Sequence, residues 1–151
     1  FAGRIAVRAG EEGFNGKLWW RQNGDVFRAR ISGPLGVGTV FINGHGRELS
    51  VPDKDGVVTQ LDDAEVDLRA MYGWTIPVGS LRFWTLGIPD PALPADETVG
   101  AEGRLEALVQ GGWAVEIDRY ASGGGQPMPR RLVATSDDVR VRLVIDNWTF
   151  F

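Results

Sequence analysis

The sequence predicts a mainly β fold of the α+β type: an antiparallel barrel or strongly curved sheet of about ten short strands, with two short helices. Three observations predict it. Twenty-one glycines, eight prolines and six tryptophans indicate many turns and a large aromatic investment. The stretch "GKLWWRQNGDVFRARI" reads as a hairpin. Around it, segments that alternate apolar and polar residues recur at close spacing along most of the chain.

The elements follow in order. Ile5 and Val7 lie between Arg4 and Arg8, a half-buried strand. In the hairpin, Asn23-Gly24 is the favoured central pair of a two-residue type I′ turn. That turn sets Gln22 opposite Asp25, Trp20 opposite Phe27 and Leu18 opposite Ala29, with Trp19 facing Arg28 and Lys17 facing Arg30. One face is then aromatic and aliphatic while the other carries cations. Short strands are expected at 38–43, 47–51 and 57–61, with Val40 facing Leu49 if "NGHG" is a four-residue loop.

In "LDDAEVDLRAMYGW", Asp62 and Glu65 have capping-box spacing, Ala64, Leu68, Met71 and Tyr72 form an apolar stripe, and Gly73 supplies a stop. In "PVGSLRFWTLGIPDP", Ser80 opens a short helix with Leu81 and Trp84 on one face, ended by Gly87 and Pro89. Both helices are expected to lie across the sheet or its mouth. Residues 89–97 and "SGGGQPMP" (122–129) read as loops, and 103–109 and 130–135 as strands. Trp113, Val115 and Ile117 alternate with polar or small residues. So do Val139, Val141, Leu143 and Ile145, and Asp137-Asp138 makes the turn before them.

The bulk properties narrow the function. A chain of 151 residues is expected to form one domain that buries roughly 70% of its unfolded surface. A net charge of −4 and a pI near 5.0 give no electrostatic footprint for nucleic acid or an anionic membrane. No apolar run approaches the ~18 residues of a spanning helix. The absence of cysteine removes disulfides, thiolate zinc sites and thiol chemistry. The opening "FAGRIAVRAG" reads as the interior of a longer protein, so a targeting or anchoring segment is expected upstream.

No catalytic constellation emerges. His45 is the single histidine and has no evident triad partners. The Asp62, Asp63, Glu65 and Asp67 cluster is explained by helix capping and the macrodipole, ahead of acid–base work. The glycine runs match no phosphate fingerprint, and no group has metal-ligand spacing. The tryptophans are more informative. Trp20, Trp74, Trp84, Trp113 and Trp148 fall on strands or helices whose apolar side should point inward. They form either a filled aromatic core or the wall of a cavity for an apolar ligand, and periodicity leaves both open.

Taken in order, "GRIAV", "GKLWWRQNGDVFRARISGPLG", "DDAEVDL", "GWTIPVGSLRFWTLGIP", "WAVEIDRY", "QPMPRRLVA" and "VRVRLVIDNW" resemble the LolB family of outer-membrane lipoprotein receptors. The related carrier LolA shares the architecture, but the "SGPLG" stretch looks like LolB. The resemblance implies an incomplete antiparallel β-barrel of about ten or eleven strands with short helices covering an apolar cavity. It implies a non-enzymatic receptor without cofactors. Such a receptor accepts triacylated lipoproteins from a LolA-type periplasmic carrier and inserts them among the phospholipids of the outer membrane's inner leaflet. A monomer on the periplasmic face of the outer membrane is expected; family members carry a lipidated N-terminal cysteine, so either that anchor lies upstream of this sequence or the protein is an anchorless relative. The alternative is a soluble periplasmic carrier that never inserts its cargo.

From periodicity and the matching segments, the expected acyl-chain cavity draws on the sheet residues Leu18, Trp20, Phe27, Ile31, Val40, Trp113, Val115, Ile117, Leu143, Ile145 and Trp148. The helical region contributes Leu68, Met71, Trp74, Leu81 and Trp84. The resemblance further implies a protruding loop, Pro34-Leu35-Gly36, whose Leu35 dips into the bilayer.

Overall fold

A computed structural model of the chain describes residues 1–33, 38–46, 48–52, 55, 57–61, 64–72 and 75–151. Eleven strands form one antiparallel sheet that does not close on itself. The first six are β1 (Ala2–Ala9), β2 (Glu12–Asn23), β3 (Val26–Ser32), β4 (Val40–His45), β5 (Glu48–Pro52) and β6 (Val58–Leu61). Two helices follow, α1 (Ala64–Tyr72) and α2 (Val78–Trp84). The chain ends with β7 (Ala95–Val99), β8 (Leu105–Gln110), β9 (Trp113–Gly123), β10 (Gln126–Ser136) and β11 (Val139–Asn147).

The spatial order is β6-β5-β4-β3-β2-β1-β11-β10-β9-β8-β7. Two meanders are joined where the first strand pairs with the last: Ile5 lies opposite Leu143 and Val7 opposite Val141. The helices sit in the connection between the two edge strands, where they can cover the sheet without interrupting any ladder. Both edges are blunted. β6 has four residues, and β7 exposes Asp96 and Glu97.

Alternation fixes which side is inside. Ile5 and Val7, Leu18 and Trp20, Phe27, Ala29 and Ile31, and Val139 through Ile145 at every second residue are all buried. Gly44 belongs to this face, because its partner Phe27 lays its ring where a Cβ would stand.

Several expectations need correction. The β2–β3 turn is Gly24-Asp25 rather than Asn23-Gly24, with Asn23 opposite Val26, Gln22 opposite Phe27, Trp20 opposite Ala29 and Leu18 opposite Ile31. Gly24 has φ of 57° and Asp25 stays out of the positive region, the pattern of a type II′ turn, so one glycine supplies the only unusual backbone. Every cross-strand partner differs from the expected one by two residues, an even number, so the same residues occupy the apolar face. Val40 faces Ile31, not Leu49, because β4 and β5 turn tightly after His45. α2 begins at Val78 with Pro77 at its N-cap, two residues before Ser80.

Two expected loops run into strands, although 89–94 and Gly124-Gly125 remain outside them. Residues 95–99 form β7, whose side chains are mostly exposed and so give no alternation to read. Within 122–129, β9 runs into β10 through Gly124-Gly125, both at positive φ. Pro127 and Pro129 are tolerated because β11 pairs with β10 only from Arg131 onward, which leaves that stretch an open edge on one side. The expected cap Asp62, its neighbour Asp63 and the stop Gly73 lie outside the described residues, as does the Glu65 side chain.

The Gly44–Phe27 contact yields a test. Gly44→Ala should lower stability by about 1–3 kcal/mol in urea denaturation, since the new methyl must displace a packed ring. Gly10→Ala has open space around it, so it should show only the smaller cost of its positive φ.

Candidate functional site

The inner face of the sheet and the helices share one apolar cluster. Val78, Leu81 and Trp84 of α2, Leu68 of α1 and Ile76 between them all pack into it and are no more than 2% exposed. Leu81 and Trp84 come to one face through their i, i+3 spacing. Among the described residues, no backbone hydrogen bond links α2 to a strand. Among those residues, its hydrogen bonds to the strands and their turns are made by side chains.

These bonds form two tethers. The first is buried and polar. Gln110, at the inward end of β8, accepts hydrogen bonds at Oε1 from the Trp84 indole N–H (2.8 Å) and the Asp90 amide (2.9 Å). Its Nε2 donates to the carbonyls of Asp90 (2.8 Å) and Leu93 (3.0 Å). Two acceptor and two donor sites are thus filled, the full capacity of a side-chain amide. The Ser80 hydroxyl donates to Asp90 Oδ2 at 2.8 Å, so α2 is bound at both its start and its end to one network.

The second tether is ionic and lies toward the β2–β3 turn. Arg82, 7% exposed, donates from Nη1 to Asp25 Oδ1 at 3.0 Å, and its guanidinium stacks 4.4 Å over the Phe83 ring. Asp25 itself is largely solvated, so most of what the pair contributes comes from satisfying a buried guanidinium.

Beside α2 an aromatic series leads from the core to the surface. Phe27 stacks on Trp20 (centroids 4.8 Å apart, planes within 4°), and Trp20 on Phe1 (6.0 Å). Phe1 then meets Trp148 (5.0 Å), and Trp148 meets Phe150 (5.8 Å). Phe27 is buried and Phe150 about half exposed. An open groove of about 600 Å³ runs along this series, bordered by Leu86 just beyond α2. The indoles of Trp20 and Trp148 are satisfied by Gln22 Oε1 and the Pro129 carbonyl.

A scan against family models matches the model described as "Outer membrane lipoprotein LolB" to residues 1–148. The chain belongs to the LolB family. The outer-membrane lipoprotein LolB of Stutzerimonas stutzeri is 34% identical over 147 residues, covering 97% of this chain and 71% of that protein. The LolB of Nitrosococcus oceani is 35% identical over 150 residues, covering 97% and 74%. Among solved structures, a LolA superfamily protein from Nitrosomonas europaea superposes with a TM-score of 0.58. At 10% identity, covering 100% of this chain and 86% of that one, it shows the shared fold alone. No described helix is long and apolar enough to cross a membrane.

Within this LolB-family fold the expected cavity residues converge. Leu18, Trp20, Phe27, Ile31, Leu68, Leu81, Trp84, Trp113, Val115, Ile117, Leu143 and Ile145 all join the buried cluster, with Val40 and Trp148 partly buried at its margin. Among the described residues they pack in one cluster, and α2 contributes Val78, Leu81 and Trp84 to its cover. Trp74 and the Pro34-Leu35-Gly36 loop lie outside the described residues, as does the Met71 side chain. His45 ends β4 exposed on the outer face, rather than sitting in a loop.

Sequence reasoning missed Gln110, Asp90 and Arg82. Gln110 occupies an inward position two residues after Leu108, and a buried indole such as Trp84 requires an acceptor. Those two facts are the signal that was available.

The polar tether carries a prediction. Gln110→Met keeps the volume but strands the Trp84 and Asp90 donors, and should cost about 2–5 kcal/mol in chemical denaturation. Asp25→Asn, at a solvated carboxylate, should cost under about 1 kcal/mol.

Proposed function

We propose that this LolB-family domain, residues 1–151, accepts the acyl chains of triacylated lipoproteins from a LolA-type periplasmic carrier. It then releases them into the inner leaflet of the outer membrane. The observation that carries the reading is an open sheet whose apolar face is covered in part by a two-turn helix that, among the described residues, makes no backbone hydrogen bond to a strand.

The magnitudes suit a relay. Each long acyl chain of ~14 methylenes, at ~0.8 kcal/mol apiece, resists water by roughly 11 kcal/mol. Crossing an aqueous gap unaided is therefore negligible. Burial of Val78, Leu81 and the larger Trp84 of α2 is worth at least about 5–9 kcal/mol at ~1.5–3 kcal/mol each. An acyl chain that takes the place of α2 on the sheet regains apolar burial of the same order per chain, set against the loss of the Gln110 and Asp25 tethers. Without an energy source, onward delivery requires each acceptor to bind more tightly than the donor before it, with the membrane last. The domain acts as a binder in this scheme, and no residue is assigned a chemical step.

The sequence "SGPLG" adds the delivery end. Leu35, between Pro34 and Gly36, is read as a leucine offered to the bilayer. It yields only ~1.5–3 kcal/mol on burial, enough to bias docking and not to anchor.

Transfer of an acylated lipoprotein from a carrier to the domain, with and without phospholipid vesicles, tests both parts. Leu35→Glu should still accept cargo yet deliver less than about a tenth of it to vesicles. Undiminished delivery by that variant would remove the membrane role and leave a soluble carrier. Failure of the parent chain to take up cargo would remove the receptor reading altogether.

A further inference from the structure

The acidic net charge conceals how the cations are placed. The outer face of the sheet from β3 through β2 and β1 to β11 gathers them in directly opposed pairs: Arg21 faces Arg28, Arg4 faces Lys17, and Arg8 faces Arg140. All six are exposed. Among the described residues, Arg4 alone of these has a carboxylate partner, Asp146 at 2.9 Å. Like charges directly across a ladder are destabilising, and three such pairs on neighbouring strands concentrate positive potential on one surface of a chain whose net charge is −4.

The same face carries apolar rings where they are least expected. In register, Trp19 of β2 lies opposite Arg30 of β3, and Arg30 lies opposite Phe41 of β4. Trp19 is 41% and Phe41 50% exposed, on the solvent side of the sheet and not in its core. A shallow concavity of about 630 Å³ spans this row and Arg28. The row is one register step from the Ile31–Val40 pair, where β3 and β4 lead into the segment that holds Pro34, Leu35 and Gly36.

We propose that this outer face, centred on the Trp19–Arg30–Phe41 row, is a docking surface for an anionic phospholipid bilayer. The cations match the negative headgroup layer. Exposed Trp and Phe beside Arg match the interfacial zone, where amphipathic side chains place rings in the acyl boundary and charge among the headgroups. The rings favour a bilayer over an acidic protein, which the cations alone would fit equally well. In this arrangement the sheet lies against the membrane beside the Leu35 loop, and the helix-covered inner face is directed away from it. The inference rests on the proposed membrane delivery but assigns it to a separate surface.

Flotation with cargo-free vesicles tests it separately from lipoprotein transfer. The 151-residue chain should bind vesicles of phosphatidylcholine with about 30% phosphatidylglycerol at least tenfold more tightly than phosphatidylcholine alone, and added salt should weaken that binding steeply. Arg28→Gln and Arg30→Gln should each weaken it about fivefold, and the double variant about 25-fold. Trp19→Ala with Phe41→Ala should weaken binding to both vesicle types. Circular dichroism checks that each variant stays folded. Equal affinity for the two vesicle types, or an unaffected folded double arginine variant, would overturn the proposal. Salt-sensitive binding of soluble polyglutamate that matches the vesicles and survives Trp19→Ala with Phe41→Ala would overturn it in favour of an acidic protein partner. Normal cargo uptake alongside any of these results would leave the receptor reading standing.

Discussion

A curved sheet with one apolar face and two open edges cannot leave that face to water, and it cannot cover it by closing. Most of this molecule follows from that constraint. The cover must come from the connection between the edge strands, and α1 and α2 lie there. A helix as short as α2 has no independent stability, so its place depends on what it buries and on what holds it. Trp84 does both: its ring fills the interior and its N–H reaches Gln110. The buried amide then needs its remaining bonds satisfied, and the Asp90–Leu93 segment is arranged around it to do so. A stopper built this way is specific in its seating, and its apolar burial is of the same order as that of an acyl chain that could take its place.

The two sides of the sheet divide the physical work. The inner side is mostly apolar, and among the described residues its buried polar groups include the tethers. The outer side opposes cation to cation and sets Trp19 and Phe41 on either side of Arg30. Such a surface is a poor choice for stability alone. Beside a loop that offers Leu35, it makes sense as the side that meets headgroups while the inner side handles acyl chains.

How much of this was legible in the sequence depended on periodicity. The inner face could be read strand by strand because Leu18, Trp20, Phe27 and Ile31 alternate. Even a hairpin turn misplaced by one residue left them on the correct side. β7 was illegible because an exposed edge strand has no face to declare, and the β9–β10 hairpin was hidden by prolines on a one-sided edge. The tethers were hidden for another reason. Arg82 and Asp25 are 57 residues apart, and Gln110 and Trp84 are 26 apart, so their partnership exists only once the sheet has curved. The cationic face was lost in the average: net charge counts residues and has no information about which side of a strand they take.

The central claim is that an acyl chain takes the place of α2 on the inner face. Hydrogen–deuterium exchange of the 151-residue chain with and without a saturating long-chain acyl ligand tests it most directly. Amides of α2 and of the Thr85–Leu86 cap should exchange at least tenfold faster in the loaded state, while β1 and β11 at the centre of the sheet stay protected. Unchanged or increased protection of α2, with ligand demonstrably bound, would contradict the account.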